Sequence, residues 1–261
     1  MSVPTASSSG LAVQTRLAVL PQWRHWIVVP VILAGVTLAL GFTVKWVPSI
    51  AATEFGADRV LDRNHNVVFD AIALAIDTIL APPGILVILV LLFLFLLLIR
   101  KSPINAVAVC SVAAIGWLSS EVFKAIVSQP RPDQHLLRNV LVAGDGSDSF
   151  PSGHTTFAVS LAIALYFLAR NTRWSKFVLV VVLVFALTVA VSRVYLGVHY
   201  PSDTVGSLLV AGTAISFYTG LWNRYGLRIL NRAPLLGSFG PIPPAPASWK
   251  DPEGTDAGPA T

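Results

Sequence analysis

The stretch Ser192-Arg193-Val194-Tyr195-Leu196-Gly197-Val198-His199-Tyr200-Pro201-Ser202-Asp203 decides how this chain is to be read. It joins two apolar runs, 177–198 and 204–222, and gathers a guanidinium, an imidazole and a carboxylate where they meet. Each run is close to the ~20 residues a helix needs to cross a bilayer core. Pro201 suits the first turn of the second helix, where its missing N–H is no loss, so Asp203 falls at a helix N-terminus within reach of the His199 ring. A carboxylate on one imidazole nitrogen fixes the tautomer and leaves the other nitrogen basic, as a nucleophilic histidine requires. On these residues alone a plainer reading stays open: an Arg193 to Asp203 ion pair closing the surface, with His199 a bystander.

Outward from this stretch, four more apolar runs qualify as spans: 26–47, 83–99, 103–126 and 154–169. The chain is 54% apolar and only 12% charged, with a mean hydropathy of +0.71, which a water-soluble domain of this length would not show. The expectation is an all-α integral membrane protein of six transmembrane helices. No small-residue cleavage site follows the first run, so a retained anchor is expected rather than a secretory signal. The layout expected is a flexible cytoplasmic N-terminus over 1–24, a membrane domain over 25–226, and a flexible Pro/Ala/Gly-rich tail over 227–261. The single cysteine, Cys110, lies inside an apolar run and reads as a packing residue, with neither a disulfide framework nor a cysteine metal site available. A pI near 9.7 could suggest nucleic acid as partner, but the cations are split among short connectors instead of forming a stripe, so no nucleic acid is expected.

Those connectors orient the chain. Arg100, Lys101, Arg170, Arg173, Lys176, Arg224, Arg228 and Arg232 fall on the side of the termini, and cytoplasmic loops carry the Lys/Arg excess. Both termini are therefore expected inside a plasma membrane, with the residues around His199 facing outward. The segment 49–80 carries Glu54, Asp58, Asp62, Asp70 and Asp77 among apolar residues at helical spacing, and Pro82-Pro83 closes it. It reads as an amphipathic surface helix along the outer interface.

Two further polar stretches lie at the same expected face. At the end of the third run, Lys124 precedes Arg131 by two helical turns, so a persisting helix would point both cations to one side until Pro130 and Pro132 stop it. Taken alone, they could simply be snorkelling cations. Ahead of the fourth run stands Phe150-Pro151-Ser152-Gly153-His154. Ser152 can cap the helix, Gly153 lets the backbone approach a ligand, and the helix N-terminus favours an anion. His154 would then sit beside that anion as a candidate acid, or else be a mere interfacial histidine after a cap. Alternating span direction brings all three stretches to one face. Ionisable residues at the ends of apolar spans are expensive and usually functional, which favours a joint site.

In order and spacing, K-x6-R-P, P-S-G-H and S-R-x5-H-x3-D resemble the three-part signature of the type 2 phosphatidic acid phosphatase superfamily, over roughly residues 61–222. Each part is weak and the combination specific. The resemblance implies that His199 attacks phosphorus, Asp203 orients it and His154 protonates the leaving oxygen. Lys124, Arg131 and Arg193 would hold the phosphate oxygens, with the Ser152 hydroxyl and the Gly153 amide. Three fixed cations can supply the charge stabilisation on which phosphoryl transfer depends, so no metal and no other cofactor is expected. The expected substrate is a lipid phosphate in the bilayer. Polyprenyl diphosphate is favoured by analogy with compact bacterial phosphatases that recycle the cell-wall carrier, and phosphatidate and phosphatidylglycerol phosphate are the alternatives. A lipid phosphotransferase, or a non-catalytic transporter or structural membrane protein, would be different answers. The intact histidines and the near absence of polar residues in mid-span argue against the last.

Overall fold

The computed structural model describes residues 8–144 and 148–245. Its helices are α1 (Ser8–Gln14), α2 (Val28–Trp46), α3 (Pro48–Asp62), α4 (Val67–Ile79), α5 (Pro82–Leu94, extended by a wider turn to Ile99), α6 (Pro103–Val127), α7 (Gly153–Ala169), α8 (Ser175–Tyr195), α9 (Pro201–Leu221), α10 (Leu227–Asn231) and α11 (Pro234–Gly237). No strand occurs among the described residues. Proline opens α3, α5, α6, α9 and α11, where its fixed φ suits a first turn.

Five helices are long and apolar enough to cross a membrane: α2, α5 with its extension, α6, α8, and α9 continued to Asn231. The sixth expected span is α7, whose 17 residues reach about 25 Å, less than a ~30 Å hydrocarbon core. It lies inside the bundle, packed on α6, α8 and α9. Phe157, Ala158 and Ala164 of α7 join Val109, Val112, Ala113, Ala211 and Ile215 in the core. Close approach is built from small residues: a Cβ on Gly116 of α6 would stand 2.1 Å from Ser160 Oγ of α7. Outside, the pattern inverts. Val31 and Ile32 of α2, Val87 and Leu91 of α5, and Leu183 and Leu187 of α8 are all exposed, which suits lipid as solvent.

Three expectations need correction. The surface helix over 49–80 is two helices, because Asn66 caps a new one by accepting from Val68 N at 3.1 Å and Phe69 N at 3.0 Å. Its acids do not simply face water, since Asp58 and Asp62 are buried and Asp62 accepts from the amides of Arg138 (2.9 Å) and Asn139 (2.8 Å). Next, α6 ends at Val127 with Ser128 in the left-handed conformation, so Lys124 and Arg131 reach the same cavity without sharing a helical register. Finally, neither terminal stretch is free where it is described. Leu17 is 1% exposed, its amide bonded to Asn105 and its carbonyl to Trp222, while Leu230, Phe239 and Ile242 pack on the same core. Isolated leucines in a polar stretch carry no periodicity that would reveal such docking. The remainder of the expected tail, 246–261, lies outside the described residues.

Candidate active site

Every signature stretch ends at the same place. The C-terminal ends of α4, α6 and α8, the N-terminal ends of α5 and α7, and the connector that leads into α9 surround a cavity of about 170 Å³, and its walls include Lys124, Arg131, Gly153, His154, Arg193 and His199. Phe150 locks the connector before α7 into the bundle. A Cβ on Gly206 of α9 would come within 2.3 Å of its ring, and one on Gly41 of α2 within 2.8 Å.

At the back of the cavity, His199 Nδ1 faces Asp203 Oδ2, in the first turn of α9, at 3.2 Å. The same oxygen accepts from Ser149 Oγ at 2.5 Å and from the Tyr200 amide at 2.9 Å. With Nδ1 held by Asp203, Nε2 is the ring nitrogen left toward the cavity. Burial, followed by the charges of Arg131, Arg193 and Lys124, pushes the His199 imidazole well below its ordinary value. The ring is therefore neutral at physiological pH, with a lone pair to offer.

The cations stand around it, each already against a carboxylate. Arg193 Nη1 donates to Asp77 Oδ1 at 2.6 Å, Arg131 Nε to Asp148 Oδ1 at 2.9 Å, and Lys124 lies 3.1 Å from Glu121 and 3.8 Å from Asp148. The Arg193 fork is further fixed through Nε to Ser192 Oγ and Nη2 to the Ala73 carbonyl. Burial works to raise the Asp148 carboxyl, but the hydrogen bond and charge of Arg131, with Lys124, hold it below the ordinary range. These carboxylates mark positions where oxyanion oxygens are well received. His154 lies beside them, its Nε2 3.3 Å from the Asp77 carbonyl and 3.8 Å from the Asp77 carboxylate. Ser152 Oγ caps α7 at 3.4 Å from Thr155 N, and a Cβ on Gly153 would sit 3.5 Å from Lys124 Nζ.

All eight expected site residues thus lie at this end of the bundle. The Arg193 to Asp203 ion pair does not form, since each has another partner. Asp77, Glu121, Asp148 and Ser149 were not among the expected site residues. Asp77 was visible only as one acid in an amphipathic run, and Asp148 and Ser149 belong to a connector with no local pattern. Among the described residues no group of three or more His, Cys, Asp or Glu side chains could hold a metal ion.

Residues 105–226 match the PAP2 superfamily. An undecaprenyl-diphosphatase of Bacillus subtilis is 30% identical over 148 residues, covering 57% of this chain and 72% of that one. A putative undecaprenyl-diphosphatase of Escherichia coli is 29% identical over 164 residues, 62% of this chain and 77% of the other. In fold, the chain resembles the crystal structure of a transmembrane PAP2-type phosphatidylglycerolphosphate phosphatase from Bacillus subtilis, with a TM-score of 0.61 and 24% identity over 75% of this chain and 96% of that one. The chain belongs to the PAP2 superfamily.

Proposed function

We propose that the protein hydrolyses a polyprenyl diphosphate of the undecaprenyl type to the monophosphate, through a covalent phosphohistidine on His199 and without a metal. The observation that carries this reading is the placement of His199, backed by Asp203 and opening onto a cavity that three cations share. Nε2 of His199 attacks the terminal phosphorus, forming a P–N bond as the bond to the bridging oxygen breaks. His154 gives that oxygen its proton. Water then attacks the phosphohistidine, surrenders its proton to His154 and releases phosphate. Lys124, Arg131 and Arg193, with the Ser152 hydroxyl and Gly153 amide, hold the equatorial oxygens, where charge stabilisation is worth most in a water-poor site. The incoming oxygens take the places of the Asp77 and Asp148 carboxylates at the cations.

The choice of diphosphate is supported by the names of both undecaprenyl-diphosphatase relatives. Side-by-side assays of polyprenyl diphosphate, phosphatidylglycerol phosphate and phosphatidate in detergent test it. The diphosphate should have the highest kcat/KM. Preference for phosphatidylglycerol phosphate would assign that substrate instead, and phosphate appearing on a second lipid in place of free phosphate would make the enzyme a phosphotransferase.

In this reading α7 is the sixth span, shortened because its polar end lies in the headgroup layer, and the site faces outside with both termini in the cytoplasm. With Cys110 first replaced by Ala, a cysteine at the exposed Val140 should react with an impermeant maleimide in intact cells, and one at the exposed Arg173 only after permeabilisation. The reverse pattern would put the chemistry in the cytoplasm.

A further inference from the structure

Behind the His199 and Asp203 pair lies a carboxyl that the reaction above does not use. Asp58 of α3 is 1% exposed, and neither of its oxygens meets a hydrogen-bond donor. An ionised carboxylate in that state is among the most costly groups a protein can bury, whereas a protonated one is merely a polar group seeking an acceptor. Burial, then the charges of Asp203 and Glu54, raises the Asp58 carboxyl to about 8. A complementary vacancy lies at Asp203. Its Oδ2 takes three donors, while its Oδ1 is buried and takes none. Glu54, one turn before Asp58 on the same face of α3, accepts from Ser202 Oγ at 2.7 Å, which lays this face against the first turn of α9, where Asp203 sits.

We propose that Asp58 is a positioning residue of the active site: a neutral acid whose O–H is donated to Asp203 Oδ1, directly or across one water. The proposal rests on the reading of His199 as the nucleophile. A proton kept on Asp58 is a proton kept off Asp203, which stays an acceptor for His199 Nδ1–H and so keeps Nε2 free to attack. On the elements packed against α3, the other charged and titratable groups at this end are Tyr200 at the head of α9, Arg193 and Tyr195 at the end of α8, and Lys45 at the end of α2, while Lys176 of α8 and Tyr218 of α9 lie toward the opposite ends of their helices. Arg193 is engaged by Asp77, Tyr195 by Asp70 and Lys45 by the Val127 carbonyl, so none of them is aimed at Asp58 as a counter-ion. Tyr200 is itself pushed up to about 12, by burial and then by Asp203, Asp58 and Glu54, and remains a neutral phenol.

The test is kcat/KM against pH, on polyprenyl diphosphate, for the full-length enzyme and its Asp58→Asn and Asp58→Ala variants. Asp58→Asn retains a donor that cannot ionise. It should stay within about threefold of wild type near pH 7 and lose the alkaline fall that wild type shows once Asp58 surrenders its proton, near pH 8. Asp58→Ala leaves Asp203 Oδ1 unmet, making Asp203 easier to protonate. It should lower kcat/KM by about 10- to 100-fold, the usual effect of losing an outer-shell partner, and move the acid limb to higher pH. If Asp58→Ala does not accumulate in the membrane, Asp58→Leu fills the space without a donor and should give the same profile. Asp58→Ala or Asp58→Leu with wild-type rates and an unmoved acid limb would overturn the proposal, as would Asp58→Asn impaired as badly as Asp58→Ala. His199→Ala, assayed alongside, separates the two ideas: activity there removes the nucleophile reading itself, whereas an inert His199→Ala beside indifferent Asp58 variants removes only the role of Asp58.

Discussion

His199→Ala should reduce phosphate release by at least about a thousandfold, equivalent to ~4 kcal/mol of barrier, because no other group at the back of the cavity can form the bond to phosphorus. His199 is only 3% exposed, so it is a packed residue rather than a loose interfacial one, and alanine there also opens a hole. His199→Asn separates the two effects. It fills more of the space, retains a polar group beside Asp203 and Ser149, and should be equally inactive while accumulating normally in the membrane. His154→Ala should behave differently, since the task proposed for it is to protonate a leaving oxygen. On a lipid substrate the loss should be large. On p-nitrophenyl phosphate, whose leaving group needs little help, it should be much smaller, and equal losses on both would argue against His154 as the acid.

Arg193→Ala should cost roughly 100- to 1000-fold in kcat/KM, the usual consequence of deleting a fixed donor from a charge-stabilising site. Arg193→Lys should recover little of this. The guanidinium is held at three points, by Asp77, Ser192 Oγ and the Ala73 carbonyl, and an ammonium cannot meet all three from one place while facing a phosphate. The fold should survive either change. Removing one member of a fully buried ion pair can cost ~3–5 kcal/mol, but the Asp77 side chain is 28% exposed and can rehydrate once its partner is gone. Recovery of near wild-type kcat/KM in Arg193→Lys would mean that charge alone, and not the geometry of the fork, is what the site requires.

The all-helical class with its long apolar helices, and the meeting of the three stretches, were legible because each rests on local signals. Long apolar runs, prolines at helix starts and charges only at span ends constrain a membrane chain tightly. The pairing of His199 with Asp203 was legible for the same reason, as both lie within a few residues of Pro201. Harder to read was whatever depends on contacts between distant segments. Asp77 meets Arg193 across 116 residues of sequence, and Asp62 caps amides near Arg138 across 76. In the segment 49–80 the acids recur at helical spacing, which a surface helix and a helix pair turned toward a polar site satisfy equally well. The third run, given as 103–126, ends where α6 ends, but what stops the helix was not legible: Ser128, a residue with no strong preference for positive φ, takes the left-handed conformation ahead of the prolines that were expected to end it.

The central claim is that phosphate passes through His199, and the most direct measurement is to trap the phosphoenzyme. Enzyme mixed briefly with polyprenyl diphosphate radiolabelled at its terminal phosphate, then quenched in alkali, should retain label in a form stable to alkali and released by acid, as a phosphorus–nitrogen bond requires. Proteolysis should place that label on His199, and His199→Asn should carry none. A label stable to acid, a label on any other residue, or turnover in His199→Asn without a phosphoprotein would contradict the account.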